Sequence, residues 1–229
     1  MNAIPLERQI EYPTSDGQPM AETLEHQQVM IDLIEGLRQR YAGVPGAWVA
    51  GNFFLCYERG NPRAHLAPDV MVAKGLDQRF RPNYLLWEEK PPSLIVEVTS
   101  RSTRREDLGK KKSLYERFGT EEYVLYDPLD EYLKPRLQGY RLDRGHFQPI
   151  PLEADGSLRS RTTGLTFRPE GQRMRLVDSL TGKLTLWHEE IEAAFAQTSE
   201  ALAREAAARR TAEEKLRALE AEFDRLRQP

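Results

Sequence analysis

The sequence predicts an α/β protein, an α+β mixed sheet flanked by helices, with a long helix at its C-terminal end. Three observations carry this. Leu94-Ile95-Val96-Glu97-Val98 is an apolar run of the kind that forms a central strand covered on both faces. A helical stretch and a second apolar run, Glu122-Tyr123-Val124-Leu125-Tyr126, follow it, an order that implies a parallel crossover. From about Leu186 the composition turns sharply to Ala, Glu, Arg and Leu, which separates a tail, 186–229, from a first domain, 1–185.

Taken in order, residues 1–21 read as a polar lead-in containing Pro and Gly. A helix is predicted from about Thr23 to Tyr41, because Met30, Leu33, Ile34, Leu37 and Tyr41 share one face. Glu22 and His26 extend that face backwards, and Val44-Pro45-Gly46 ends the pattern. Strands are predicted over Trp48–Tyr57, Pro68–Ala73, Leu94–Thr99 and Glu122–Tyr126, with a loop rich in Arg, Pro and Asn from Gly75 to Pro92. Between the last two strands a helix spans about Arg104–Phe118. Thr103-x-x-Glu106 has the form of a capping box at its start, and Gly119 suits its end. Residues 137–178 alternate short β-like runs with Gly and Asp turns, read as hairpins on the same sheet.

In the tail, heptads counted from Ile191 align Ile191, Phe195, Thr198, Leu202, Glu205, Arg209, Ala212, Leu216, Leu219, Phe223 and Leu226. The last five are apolar, whereas Thr198, Glu205 and Arg209 interrupt the middle. This predicts a long helix whose final turns form a coiled coil, and hence a homo-oligomer, in its simplest form a dimer. The alternative is a solvated helix frayed at its end. No basic region precedes the seam, which argues against a leucine-zipper DNA-binding role.

The 229 residues suffice for one full α/β domain and an appendage. The single cysteine, Cys56, permits no intrachain disulfide and lies in an apolar run where it reads as a small buried hydrophobe. No stretch approaches a membrane span, and the first residues lack the regions of a signal peptide. A net charge of −3 with 30% charged residues leads us to expect a cytoplasmic protein. Any affinity for nucleic acid must then come from a local basic patch.

Chemistry concentrates at Glu97. A lone carboxylate in an apolar strand costs several kcal/mol unless a cation or donors meet it. Pro68-Asp69 supplies a second acid at a strand start, and the following helix carries Asp107-Leu108-Gly109-Lys110-Lys111-Lys112. At about 100° per residue with Leu108 at zero, Leu114, Phe118 and Tyr115 fall near about 240°, 280° and 340°. Lys111 falls at about 300° and Asp107 at about 260°, inside that stripe, whereas Lys110 and Lys112 lie on its flanks. Lys111 is therefore the predicted partner of Glu97. Arg101, Arg104 and Arg105 cluster near the helix start, a candidate phosphate site. Two carboxylates and a lysine suit a hard divalent cation, Mg²⁺ or Mn²⁺, at a scissile phosphate. Compensated burial of an acid–lysine pair is the structural alternative.

These residues form a wider pattern. Pro68-Asp69, Glu97-Val98-Thr99-Ser100-x-Ser102-Thr103-Arg104, Asp107-x-x-x-Lys111-x-x-x-Tyr115 and Gly119-x-x-Glu122-Tyr123-x-x-x-Asp127-Pro128 follow one another along the chain. Together with Ser15-Asp16-Gly17-x-Pro19-Met20-Ala21-Glu22-Thr23, they resemble the Uma-two (Uma-type) family of endonucleases, within the PD-(D/E)xK superfamily. The likeness covers about residues 15–180. It implies a restriction-endonuclease-like core and a Mg²⁺-dependent phosphodiesterase acting on DNA; the sequence itself leaves RNA open as a substrate. It further implies Asp69, Glu97 and the Val98 carbonyl as metal ligands. Where the superfamily places its lysine, two residues after Glu97, this chain has Thr99, and Lys111 is the relocated candidate.

Glu22, His26 and Asp107 are further candidate site residues; a helix-start cap and a hydrogen-bonded histidine are the simpler readings of the first two. Tyr115 reads as packing, and the acids of Trp87-Glu88-Glu89-Lys90 as a solvated loop. His65, His146 and His188 show no metal-ligand spacing. Two further functions compete with a nuclease. One is an inactive nuclease-fold module that binds DNA or protein and assembles through its tail. The other is a glycosidase using Asp69 and Glu97, which leaves Lys111 and the arginines unexplained.

Overall fold

Helix α1 (Leu24–Arg40) begins at Thr23, whose side chain accepts the His26 N–H at 3.3 Å. In this computed structural model, which describes residues 12–13, 23–77 and 79–226, α1 buries Val29, Met30, Leu33 and Leu37 against a sheet. The chain divides into one compact unit ending at Thr185 and a second beginning at Leu186. The lead-in, apart from Tyr12 and Pro13, lies outside the described residues, as does Glu22.

The expected strand Trp48–Tyr57 is in fact two. β1 (Trp48–Ala50) ends where Asn52 takes a left-handed φ of 48°, a conformation asparagine tolerates well, and β2 (Leu55–Cys56) then leaves for another sheet. There it pairs with β3 (His65–Leu66) and with β5 (Tyr84–Leu85), which lies inside the expected loop Gly75–Pro92. β4 (Val70–Ala73), β6 (Leu94–Val98), β7 (Glu122–Tyr126), β8 (Leu137–Asp143) and β9 (His146–Pro149) join β1 in a six-stranded sheet of order β1-β4-β6-β7-β8-β9. The pair β6–β7 is parallel, as the crossover requires. The remaining hairpin strands, β10 (Leu158–Arg159), β11 (Leu165–Glu170) and β12 (Arg173–Asp178), form a sheet of their own rather than extending the first.

Alternation along β4, β6 and β7 divides the core. Val70, Val72, Leu94, Val96 and Val124 face α1, whereas Met71, Ile95, Tyr123 and Leu125 face the opposite side with Tyr115. Each such side chain contributes about 1.5–3 kcal/mol on full burial. Glu97 is in step with Ile95, so it shares the side that Tyr115 covers.

That covering segment runs without a break from Arg104 to Phe118, but not as one α-helix. α2 (Arg104–Glu106) passes into a π-helical turn (Asp107–Lys111) and then into α3 (Lys112–Phe118), ended by Gly119 at φ 85°. The expected capping box does not form. Thr103 is already helical, at φ −90° and ψ −21°, and its hydroxyl accepts the Ser100 N–H at 3.0 Å instead. The second unit contains α4 (His188–Leu226), a helix of 39 residues. Among the described residues no helix is long and apolar enough to cross a membrane.

Candidate active site

The β4–β6 register pairs Val70 with Val96, so one further step sets Asp69 opposite Glu97. Asp69 Oδ2 accepts the backbone N–H of Val98 at 2.7 Å, which ties the acid to the end of β6. Glu97 has no exposed surface. Its Oε1 accepts from the Tyr115 hydroxyl at 2.7 Å, and its Oε2 accepts from Lys111 Nζ at 3.0 Å. Lys111 Nζ also lies 2.9 Å from Asp107 Oδ1. The Tyr123 hydroxyl donates to the Asp107 backbone carbonyl at 3.0 Å, anchoring the π turn to β7. Asp107 is 1% exposed, and its Oδ2 has no hydrogen-bond partner among the described residues. On the α1 side, His26 Nε2 approaches Asp69 Oδ2 to 3.5 Å.

Residues 2–170 match the model of the Uma2 family, described as "Putative restriction endonuclease", a span of well over half of the chain. The chain belongs to the Uma2 family. No curated protein matches it significantly. Among solved structures it resembles a "putative nuclease belonging to DUF820" from Anabaena variabilis, at 14% identity and a TM-score of 0.47, covering 66% of this chain and 81% of the other.

In this Uma2 chain, Asp69, Glu97, Lys111, Asp107 and His26 converge on one end of β4 and β6. Arg101, Arg104 and Arg105 do not join them; they are exposed and make no ion pair or hydrogen bond through their side chains with a described residue. Thr99 is buried, at 2% exposed, and its hydroxyl has no hydrogen-bond partner among the described residues. The position two residues after Glu97 thus holds a short neutral group, while Lys111 supplies the ammonium from the π turn.

Two readings of the acids and aromatics need correction. Tyr115 is not only packing, because its hydroxyl is the second donor to Glu97. The signal was present: it lies four residues after Lys111 on the same stripe, where helical neighbours meet. Glu89 is not solvated. Its side chain is buried and accepts from Arg79 Nη2 and Arg81 Nε, each at 2.7 Å. The pair Arg79-x-Arg81 in the same loop was its visible partner. Glu88, by contrast, is half exposed, as expected.

The electrostatics follow from burial. Burial pushes the Glu97 carboxyl up to about 8; Lys111 pulls it down, while Asp69 and Asp107 add to the rise. For Lys111, burial works downward, yet the carboxylates of Glu97, Asp107 and Asp69 override it and hold the ammonium above its ordinary range. Burial, reinforced by Glu97, raises the hydroxyls of Tyr115 and Tyr123 well above the usual tyrosine value, so both remain donors.

Among the described residues the site therefore carries three carboxyl groups for one ammonium, with a carboxylate oxygen of Asp107 left without a donor. That is a shortage of positive charge, and oxygen donors of this kind suit a hard cation. Among the described residues no three His, Cys, Asp or Glu side chains form a group able to hold a metal alone. Mg²⁺ commonly takes one or two carboxylates and completes its shell with water and substrate phosphate, so the residues present fit it.

Proposed function

We propose that this Uma2 protein is a Mg²⁺- or Mn²⁺-dependent endonuclease hydrolysing phosphodiester bonds in DNA. The observation that carries the reading is the convergence of Asp69, Glu97 and Lys111 at the ends of two adjacent strands. Asp69, Glu97 and the Val98 carbonyl would hold the cation. When bound, it supplies charge neutralisation at the scissile phosphate and a more acidic water.

The chain's own residues do the rest. Lys111, held protonated by three acids, cannot serve as a general base; it acts as a fixed positive charge toward the phosphate. Asp107 positions Lys111, and Tyr115 orients Glu97. Glu97 must lose its proton before it can ligate, so cation binding, and activity with it, rises with pH. Arg101, Arg104 and Arg105 are the side chains for backbone phosphates, which makes binding steeply salt-dependent. The C-terminal helix joins copies of the chain.

Cleavage of supercoiled plasmid with Mg²⁺ or Mn²⁺ tests the proposal. Nicked or linear product is expected from the native chain, with a loss of about 100-fold or more for Glu97→Gln. Binding of DNA without turnover across metals and sequences would instead favour the inactive module.

A further inference from the structure

The polar residues that interrupt the seam of α4 have a use. Ile191, Phe195, Leu202, Leu216, Leu219 and Phe223 lie along one side of the helix and are between 39% and 73% exposed. Glu205 and Arg209 stand at equal distances on either side of residue 207, inside the described span of α4.

We propose that α4 pairs with a second copy of itself in antiparallel orientation, in a register centred on residue 207. This rests on the self-association proposed above and adds its orientation and register. Turned end for end about residue 207, Phe195 lies opposite Leu219 of the second copy, and Leu202 lies opposite Ala212. Ile191 lies opposite Phe223, and Thr198 opposite Leu216. Glu205 lies opposite Arg209 of the second copy, and by symmetry the pair occurs twice. A parallel pair in the same register would stack Glu205 on Glu205 and Arg209 on Arg209, like charges in adjacent layers.

Charge inside a seam lowers stability but selects register and orientation. Within the helix Glu205 makes no ion pair or hydrogen bond through its side chain with a described residue, while Arg209 reaches Glu213 at 2.9 Å. That contact is exposed on both sides, worth little, and easily exchanged. One feature opposes the arrangement: Glu192 and Glu220 share an edge, but at the solvated ends where such contacts matter least. The consequence for the protein is spatial. At 1.5 Å per residue, the two points where the chains enter α4 stand roughly 58 Å apart, at opposite ends of the pair.

Full-length Leu202→Cys and Ala212→Cys variants, oxidised separately and after mixing, test this. Cys56 is buried and serves as the unchanged background. Antiparallel pairing predicts a covalent dimer only in the mixture, since the Cα atoms of identical positions lie too far apart to bridge. Covalent dimers from each variant alone would establish parallel pairing and overturn the orientation while leaving self-association intact. A native chain that sediments as a monomer would overturn both. As a second measurement, Glu205→Arg should weaken the dimer about 10-fold, and mixing it with Arg209→Glu should restore it. Unchanged affinity in Glu205→Arg would also overturn the proposal.

Discussion

Glu97 draws its cost and its use from the same burial. Its folded-state pKa is raised from 4.5 to about 8, so the folded chain holds a proton that the unfolded chain has released. The stability this confers is fully present below about 4.5 and is lost as pH rises through about 8. Glu97→Gln should therefore flatten the fall in stability between pH 5 and pH 8, read from urea unfolding at each pH; an unaltered slope would contradict a raised Glu97. Tyr115→Phe removes one of two donors to the same carboxylate and should cost about 1–3 kcal/mol in urea unfolding. At this scale much was legible. A carboxyl in an apolar strand demands a partner, and helical angle selected Lys111 over Lys110 and Lys112. What sequence could not show was the role of the Tyr115 hydroxyl, since a tyrosine on an apolar stripe looks the same whether or not its oxygen is used.

The π turn is the element that presents Lys111 and Asp107 together. It escaped the sequence because apolar spacing of three and four residues reads as an α-helix and does not register one wide turn. Lys111 was placed correctly even so, since it lies within a turn of the stripe under either winding. Gly109 sits in this turn with open space around the position a Cβ would take, and its φ is not left-handed. Gly109→Ala should raise stability by about 0.5–1 kcal/mol, seen as a higher Tm, by reducing the freedom of the unfolded chain. A lower Tm would mean that the turn needs glycine. The strands show where local pattern gives out. β6 and β7 were clear because both of their faces are buried. β2, β3 and β5 have two residues each, too few for any period, and the break at Asn52 lies within an otherwise continuous apolar run. The capping box failed although the motif was present, because Thr103 itself is already helical.

At the scale of the whole molecule, the mixed α/β class and the central parallel pair were readable from element order. The separate sheet of β10, β11 and β12 was not, because hairpins carry no mark of the sheet they join. The resemblance and the Uma2 match converge on the same stretch of chain, and the site lies within it. In the function proposed above, Asp69 and Glu97 together form a metal centre served by Lys111. Crystals soaked in Mn²⁺ above pH 8, where Glu97 is ionised, test it most directly through anomalous scattering. A peak bridging the Asp69 and Glu97 carboxylates, with Lys111 Nζ within about 4 Å, is the predicted result. A saturating soak that leaves Glu97 paired only with Lys111 and Tyr115, with no peak at the strand ends, would contradict it.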